Sequence, residues 1–249
     1  MDFKQAQLAD LLKGNWARFY ADDACPAMII KYIGTAASGL VEVTAGGEIG
    51  FKVGALSSEA ADVSVVASTG IIDTNGASSN TMGEVVDIIN ASPNWSAKLL
   101  GALRTDSADD TLLVRAEAAC SSTTGSLIYW DTSACLHQSV VASEILRKGP
   151  VSEVAANINM SDANVVHSVK AIVAKNTFGS GTSIISVYDG ETKIWEFAGG
   201  DTTVEQKSEY YPDKISATPG NKLLVRLVGS VACTGTLGAF FESLNFVNP

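Results

Sequence analysis

The chain has little histidine, little proline and little charge. Two histidines in 249 residues leave few metal ligands and few groups that titrate near neutral pH. Charged residues make up 18% of the chain, below the usual quarter. The basic sign is the scarcer one: 17 Lys and Arg stand against 27 Asp and Glu, for a formal charge of −10. Affinity for nucleic acid comes largely from neutralising phosphates with Lys and Arg. This balance, with no local basic cluster, excludes nucleic acid and anionic membranes as expected partners. No run approaches the roughly 20 apolar residues that cross a bilayer. The opening residues, MDFKQAQLADLLKGNW, are charged and lack a continuous apolar stretch, so no signal peptide is expected.

Assembled catalytic patterns are also missing. There is no G-x-S-x-G and no phosphate loop ending in Gly-Lys-Ser or Gly-Lys-Thr. The cysteines Cys25, Cys120, Cys135 and Cys233 form no C-x-x-C pair and read as small buried hydrophobes. A Cys120–Cys135 disulfide is disfavoured without a secretory signal. Cys120, Cys135 and His137 offer three of the four ligands that zinc takes. The acidic loop TDSADD, around Asp106, Asp109 and Asp110, has oxygen ligands without the ordered spacing of an EF-hand. His167 sits on the apolar side of an alternating run and reads as a core histidine. Glu191, Glu196, Asp201, Glu205 and Glu209 cluster in sequence and read as solvated faces and loops. Sequons at Asn90, Asn94 and Asn159 are expected to stay unmodified. No catalytic, cofactor-binding or metal-binding residue is therefore named, no cofactor is expected, and the chain is read as no enzyme.

What is present is apolar mass, at 46%, with abundant Gly, Ser, Thr and Ala. This suits short strands and tight turns. Residues 3–14 carry Phe3, Leu8, Leu11 and Leu12 at near-helical spacing, which suggests an N-terminal arm helix over residues 1–20. Strands are expected at AMIIKYIG, at GLVEVTA and EIGFKVG across Gly46-Gly47, and at ADVSVVAS. Then comes NTMGEVVDIINASPNWSAKLL from Asn80. Thr81 with Glu84 is a capping box. Met82, Val85, Val86 and Ile89 form one apolar stripe, and Ser92-Pro93 closes the helix. Val85, Val86 and Ile89 are expected to face a sheet. WSAKLL, TLLVRAEAA from Thr111, GSLIYW and SVVASEIL continue as strands. Beyond Gly149-Pro150, VVHSVKAIVA, GTSIISVY, TKIWEF, PGNKLLVRLVGS and GTLGAFFESLNF are evenly spaced strand signals, with a hairpin at Asp189-Gly190.

The stretch from about residue 61 to 118 resembles the flagellar-hook IN motif, a helix ending in Ile-Asn-Ala followed by a strand that begins near a small residue. The match rests on Val85, Ile88, Ile89, Asn90, Ala91, Ala97 and Leu112. Related patterns occur in bacteriophage virion proteins. ISVYDGETKIWEF and PGNKLLVRLVGS resemble, in texture, small sandwich domains of phage head and tail proteins.

The expected fold is mainly β with a few short helices, in two domains. Residues 1–20 form an arm helix. Residues 21–149 form an α+β sheet domain with one covering helix and the IN-like module. Residues 150–249 form a β-sandwich or jelly roll. The resemblance implies a structural component of a virus particle, most of all a tailed-phage capsid decoration (cement) or capsid-associated protein. Its partners would be copies of itself and virion proteins such as the major capsid or tail proteins. It would be made in the host cytoplasm and reside in the virion. The alternatives are a tail, baseplate or fibre protein, or a carbohydrate- or receptor-binding sandwich using Trp130, Trp195, Tyr188, Tyr210 and Tyr211.

Overall fold

A computed structural model describes residues 15–20, 25–35, 39–53, 70–109, 111–131, 137–141, 165–177, 182–201, 205–229 and 234–245. Along the chain these form β1 (Asn15–Tyr20), β2 (Pro26–Tyr32), β3 (Gly39–Val43), β4 (Glu48–Val53), β5 (Ile71–Asp73), α1 (Met82–Ala91) and β6 (Trp95–Leu99). Then follow β7 (Arg115–Cys120), β8 (Ser126–Tyr129), β9 (His137–Val141), β10 (Val165–Thr177), β11 (Thr182–Asp189) and β12 (Thr192–Asp201). The last are β13 (Glu205–Ser216), β14 (Leu223–Gly229) and β15 (Thr234–Asn245). The fold is mainly β, as the composition implies. Among the described residues the helix found is the one announced by its capping box.

The described strands fall into two compact units. One comprises Pro26–Asp131. It is inserted between β1 and β9 of the other, which holds the remaining strands.

The second of these units is a sandwich of two four-stranded antiparallel sheets, ordered β1-β15-β10-β13 and β12-β11-β14-β9. Counted within the unit, its first strand pairs with its eighth, its second with its seventh, its third with its sixth and its fourth with its fifth. Successive pairs alternate between the two sheets. A long antiparallel ribbon wrapped in this way is a jelly roll. Ile185 faces Leu227 and Val187 faces Val225 in register. With Leu223 these side chains are fully buried on one face, and each adds about 1.5–3 kcal/mol of burial. In the other sheet Val169, Ile172, Leu237, Ala239, Phe240 and Phe241 are buried.

The jelly roll is more dispersed in the sequence than its expected span of 150–249. Asn15–Tyr20 is a strand paired with β15, so the helix expected over 1–20 does not reach these residues; residues 1–14 lie outside the described ones. His137–Val141 pairs with β14, so this stretch belongs to the sandwich although it precedes Gly149-Pro150, which also lies outside the described residues. β13, with the sequence EQKSEYYPDKIS, was not anticipated. It is polar and carries Pro212, and it forms a sheet edge, where a proline can be accommodated.

The inserted unit packs a three-stranded sheet, β6-β2-β8, and a four-stranded one, β5-β4-β3-β7. Trp95 sits edge-on to Tyr32 and Phe51, with ring centroids at 5.1 and 5.0 Å, and is 1% exposed. The β3–β4 hairpin forms at Gly46-Gly47 as expected. Its turn bond runs from the Gly47 N–H to the Thr44 carbonyl (3.1 Å), with Gly47 at φ 75°, the left-handed position of a three-residue loop. The strand expected from Thr111 begins at Arg115; Leu112 instead makes an isolated bridge to Trp130. ADVSVVAS lies outside the described residues.

Helix α1 is built as its sequence requires. Thr81 Oγ1 accepts from the Glu84 N–H (3.3 Å), and Glu84 Oε2 accepts from the Thr81 N–H (3.1 Å). The two remaining first-turn donors, Met82 N–H and Gly83 N–H, reach the carbonyls of Asp106 and Arg104, each at 2.9 Å. Met82, Val85, Val86 and Ile89 are buried, and the helix packs against β6.

Candidate functional site

Among the described residues of each unit, those singled out for chemistry pair locally with their own neighbours. Glu191 pairs with Lys222 at 3.5 Å and Glu196 with Lys193 at 2.6 Å. The hydrogen bond and charge of Lys193 hold the Glu196 carboxyl below its ordinary range. The side chains of Asp201, Glu205 and Glu209 lie outside the described residues. His167 is buried in β10 at 4% exposure. Cys25 and Cys120 are buried, and burial pushes the Cys120 thiol up to about 11. His137 lies in β9, in the jelly roll, whereas Cys120 lies in β7, in the inserted unit; Cys135 is outside the described residues. Among the described residues no three His, Cys, Asp or Glu side chains group as a metal site.

The acidic loop is a folded cap on α1. One Asp106 carboxylate oxygen accepts from the Leu103 N–H (2.7 Å), while the Asp106 carbonyl receives the Met82 N–H. Ser107 Oγ accepts from the Asp109 N–H (3.2 Å). Arg104 pairs with Asp87 at 2.5 Å, tying loop to helix.

The aromatic candidates divide. Trp130 is core, 1% exposed, with Nε1 donating to the Gly101 carbonyl (3.3 Å). Tyr188 is half-buried, and the side chains of Tyr210 and Tyr211 are not described. Trp195 is 49% exposed, next to Ile194 at 38%. Both lie on β12, an edge strand. The ladder steps from Tyr188↔Lys193 to Val187↔Trp195, so Ile194 is an extra, bulged residue. A second step, from Ile184↔Ala198 to Ser183↔Gly200, bulges Gly199. Bulges block further pairing at an edge and re-aim side chains. Here an exposed apolar pair lies at a rim whose bulges resist strand addition.

That rim ends in a fastened corner. Asp189 accepts from the Thr218 N–H (3.0 Å), from Thr218 Oγ1 (2.5 Å) and from Asn221 Nδ2 (2.9 Å). Partial burial pushes its carboxyl up, but these hydrogen bonds outweigh that and hold it below the ordinary value. The β11–β12 turn is thereby locked to the β13–β14 connection.

Two edges of the inserted unit are closed by side chains. Asn90 Oδ1 accepts from the Ala97 N–H (2.8 Å), and Asn90 Nδ2 donates to the Ala97 carbonyl (3.1 Å). Arg115 donates to Ser126 Oγ (2.9 Å) and to the Leu127 carbonyl of β8. The Asn90–Ala97 pair joins two of the residues on which the IN resemblance rests. Sequence reading marked them without foreseeing the bond.

No protein-family model matches the chain, and no curated protein matches it in sequence. Among solved structures, one of infectious bursal disease virus, Gx strain, is 10% identical over 94% of this chain and 72% of that one, with a TM-score of 0.25. Dimeric latent PorU from Porphyromonas gingivalis is 9% identical over 94% of this chain and 25% of that one, with a TM-score of 0.21. At these scores neither neighbour's fold or role transfers to this chain. Among the described residues, no helix is long and apolar enough to cross a membrane.

Proposed function

We propose that the protein is a structural component of a virus particle, working by self-association and by binding neighbouring virion subunits rather than by catalysis. The observation that carries this is the jelly-roll pairing of strands around an inserted unit, an architecture that recurs in capsid and lectin domains. Fold alone does not fix function; the sequence resemblance to phage virion proteins and the apolar pair Ile194–Trp195 support the choice. Within this class the reading is a tailed-phage capsid decoration or capsid-associated protein, its inserted unit an IN-like module. Partners are further copies of the chain and major capsid or tail proteins.

Light scattering across a concentration series, with electron microscopy, tests the reading. A defined ring, trimer or lattice is expected, weakened by Trp195→Ser, since exposed tryptophans are frequent hot spots. A wild-type protein that stays a strict monomer at high concentration and binds no virion subunit counts against it.

A second reading is favoured by the same exposed indole: a carbohydrate-binding sandwich. Glycan-array binding lost in Trp195→Ala would support it.

A further inference from the structure

Asn90 does something no ordinary helix-end asparagine must do. Its carboxamide presents one acceptor and one donor, and both go to the backbone of a single residue, Ala97. Ala97 lies at the centre of β6, opposite Ile30 of β2, and among the described strands β6 ends its sheet. Since both polar groups of Ala97 go to Asn90, they point away from β2. An adjoining strand would offer the same acceptor and donor there. The side chain therefore occupies the place of one residue of a missing strand.

We propose that the Asn90 carboxamide is a removable lock on a strand-addition site: in place it ends the sheet at β6, and displaced it opens β6 to the β6 of a second copy. The occupant follows from the register. Antiparallel pairing about Ala97 sets Ala97 opposite Ala97, Ser96 opposite Lys98 and Trp95 opposite Leu99, so no like charges meet. The pairing keeps each side chain on its own face, as a two-fold through the seam requires. The lock sits at the weakest part of α1. Its last turn carries no basic residue, and the Ser92 cap turns to an extended backbone at ψ 138°, so only the final turn must yield. The proposal stands apart from the virion reading, because it is read as a change from the wild-type mass, whatever that mass is.

The experiment uses the full chain. In wild type the Ala97 amide should be protected from hydrogen exchange; in Asn90→Ala diluted until it no longer self-associates it should exchange about tenfold faster, the worth of one net hydrogen bond, and it should regain protection as the concentration is raised and β6 pairs with β6. Light scattering of Asn90→Ala should show a concentration-dependent doubling of mass over wild type. Asn90→Ala/Ala97→Pro should return to the wild-type mass, since proline removes the outward N–H yet is tolerated at an edge. If Asn90→Ala does not fold, Asn90→Asp is read in its place: it keeps the acceptor for the Ala97 N–H and sets an anion against the Ala97 carbonyl. Fast exchange at Ala97 in wild type, or a folded Asn90→Ala (or, in its place, Asn90→Asp) chain that keeps the wild-type mass, overturns the proposal.

Discussion

Replacing Pro26–Asp131 with a short Gly-Ser linker is expected to leave the jelly roll folded. Within the inserted unit Pro26 lies opposite Tyr129, about 5 Å away across adjacent strands, and Asp131 follows shortly after, so the two ends of the insert lie within about 12 Å of each other. About four extended residues, at about 3.3–3.6 Å each, cover that gap. A folded insert thus acts on the sandwich as a short connection between β1 and β9. An unfolded one becomes a free loop of roughly a hundred residues, about tenfold longer, and (3/2)RT ln 10 makes its closure costlier by about 2 kcal/mol. Two perturbations should therefore separate. Val86→Asp sets a carboxylate at a position 6% exposed; without a partner the insert unfolds, and the sandwich loses about 2 kcal/mol. Excision removes the same strands and costs the sandwich none of that. Urea titration followed by fluorescence reads both, because Trp95 and Trp130 leave with the insert whereas Trp16 and Trp195 stay. An excised chain with no cooperative transition refutes the reasoning. So does a Val86→Asp chain whose insert is unfolded while its sandwich melts at the wild-type midpoint.

Gly83→Ala should destabilise, although alanine is the better helix former by about 1 kcal/mol. A Cβ there would lie 2.9 Å from the Arg104 carbonyl oxygen, the acceptor of the Gly83 N–H, and overpacking against backbone costs about 1–3 kcal/mol; a raised urea midpoint would contradict this. Asp189→Ala should lower stability at neutral pH by loosening the corner with Thr218 and Asn221. Because the folded carboxyl lies below its ordinary 3.8, its contribution is full above that value and fades as pH falls through the lowered one. The gap between wild type and variant in a pH series of thermal melts should therefore close on acidification; a constant gap would argue against the carboxylate. Cys120, buried with its thiol pushed up to about 11, should resist alkylation at neutral pH until the chain unfolds; rapid labelling in native buffer, followed by mass spectrometry, would refute that.

The local grammar of the inserted unit was legible. Thr81, Glu84 and Ser92-Pro93 specify their helix through short-range bonds, and Gly46-Gly47 specifies its hairpin. The jelly roll was legible only in its later strands, where Ile185, Val187, Val225 and Leu227 alternate within one run each. Its first strand is separated from its second by the insert, and the pairing of each, with β15 and with β14, is a long-range choice that no window of residues contains. β13 hid because an edge strand needs only one good neighbour and carries no apolar alternation. Trp195 was among the aromatic candidates, but its place opposite Val187 comes from the one-residue slip at Ile194, and register slips are decided by the partner strand. Asn90 and Ala97 were both noticed, yet a bond across a turn depends on a side-chain direction that composition does not encode.

The paired slips along β12 also bear on how copies could meet. A bulged rim is a poor template for another chain's backbone, so this edge is not where fibrils would be seeded. In the self-association proposed above, contact would run instead through two large side chains whose grip is weak one at a time, so a misplaced neighbour could let go and try again.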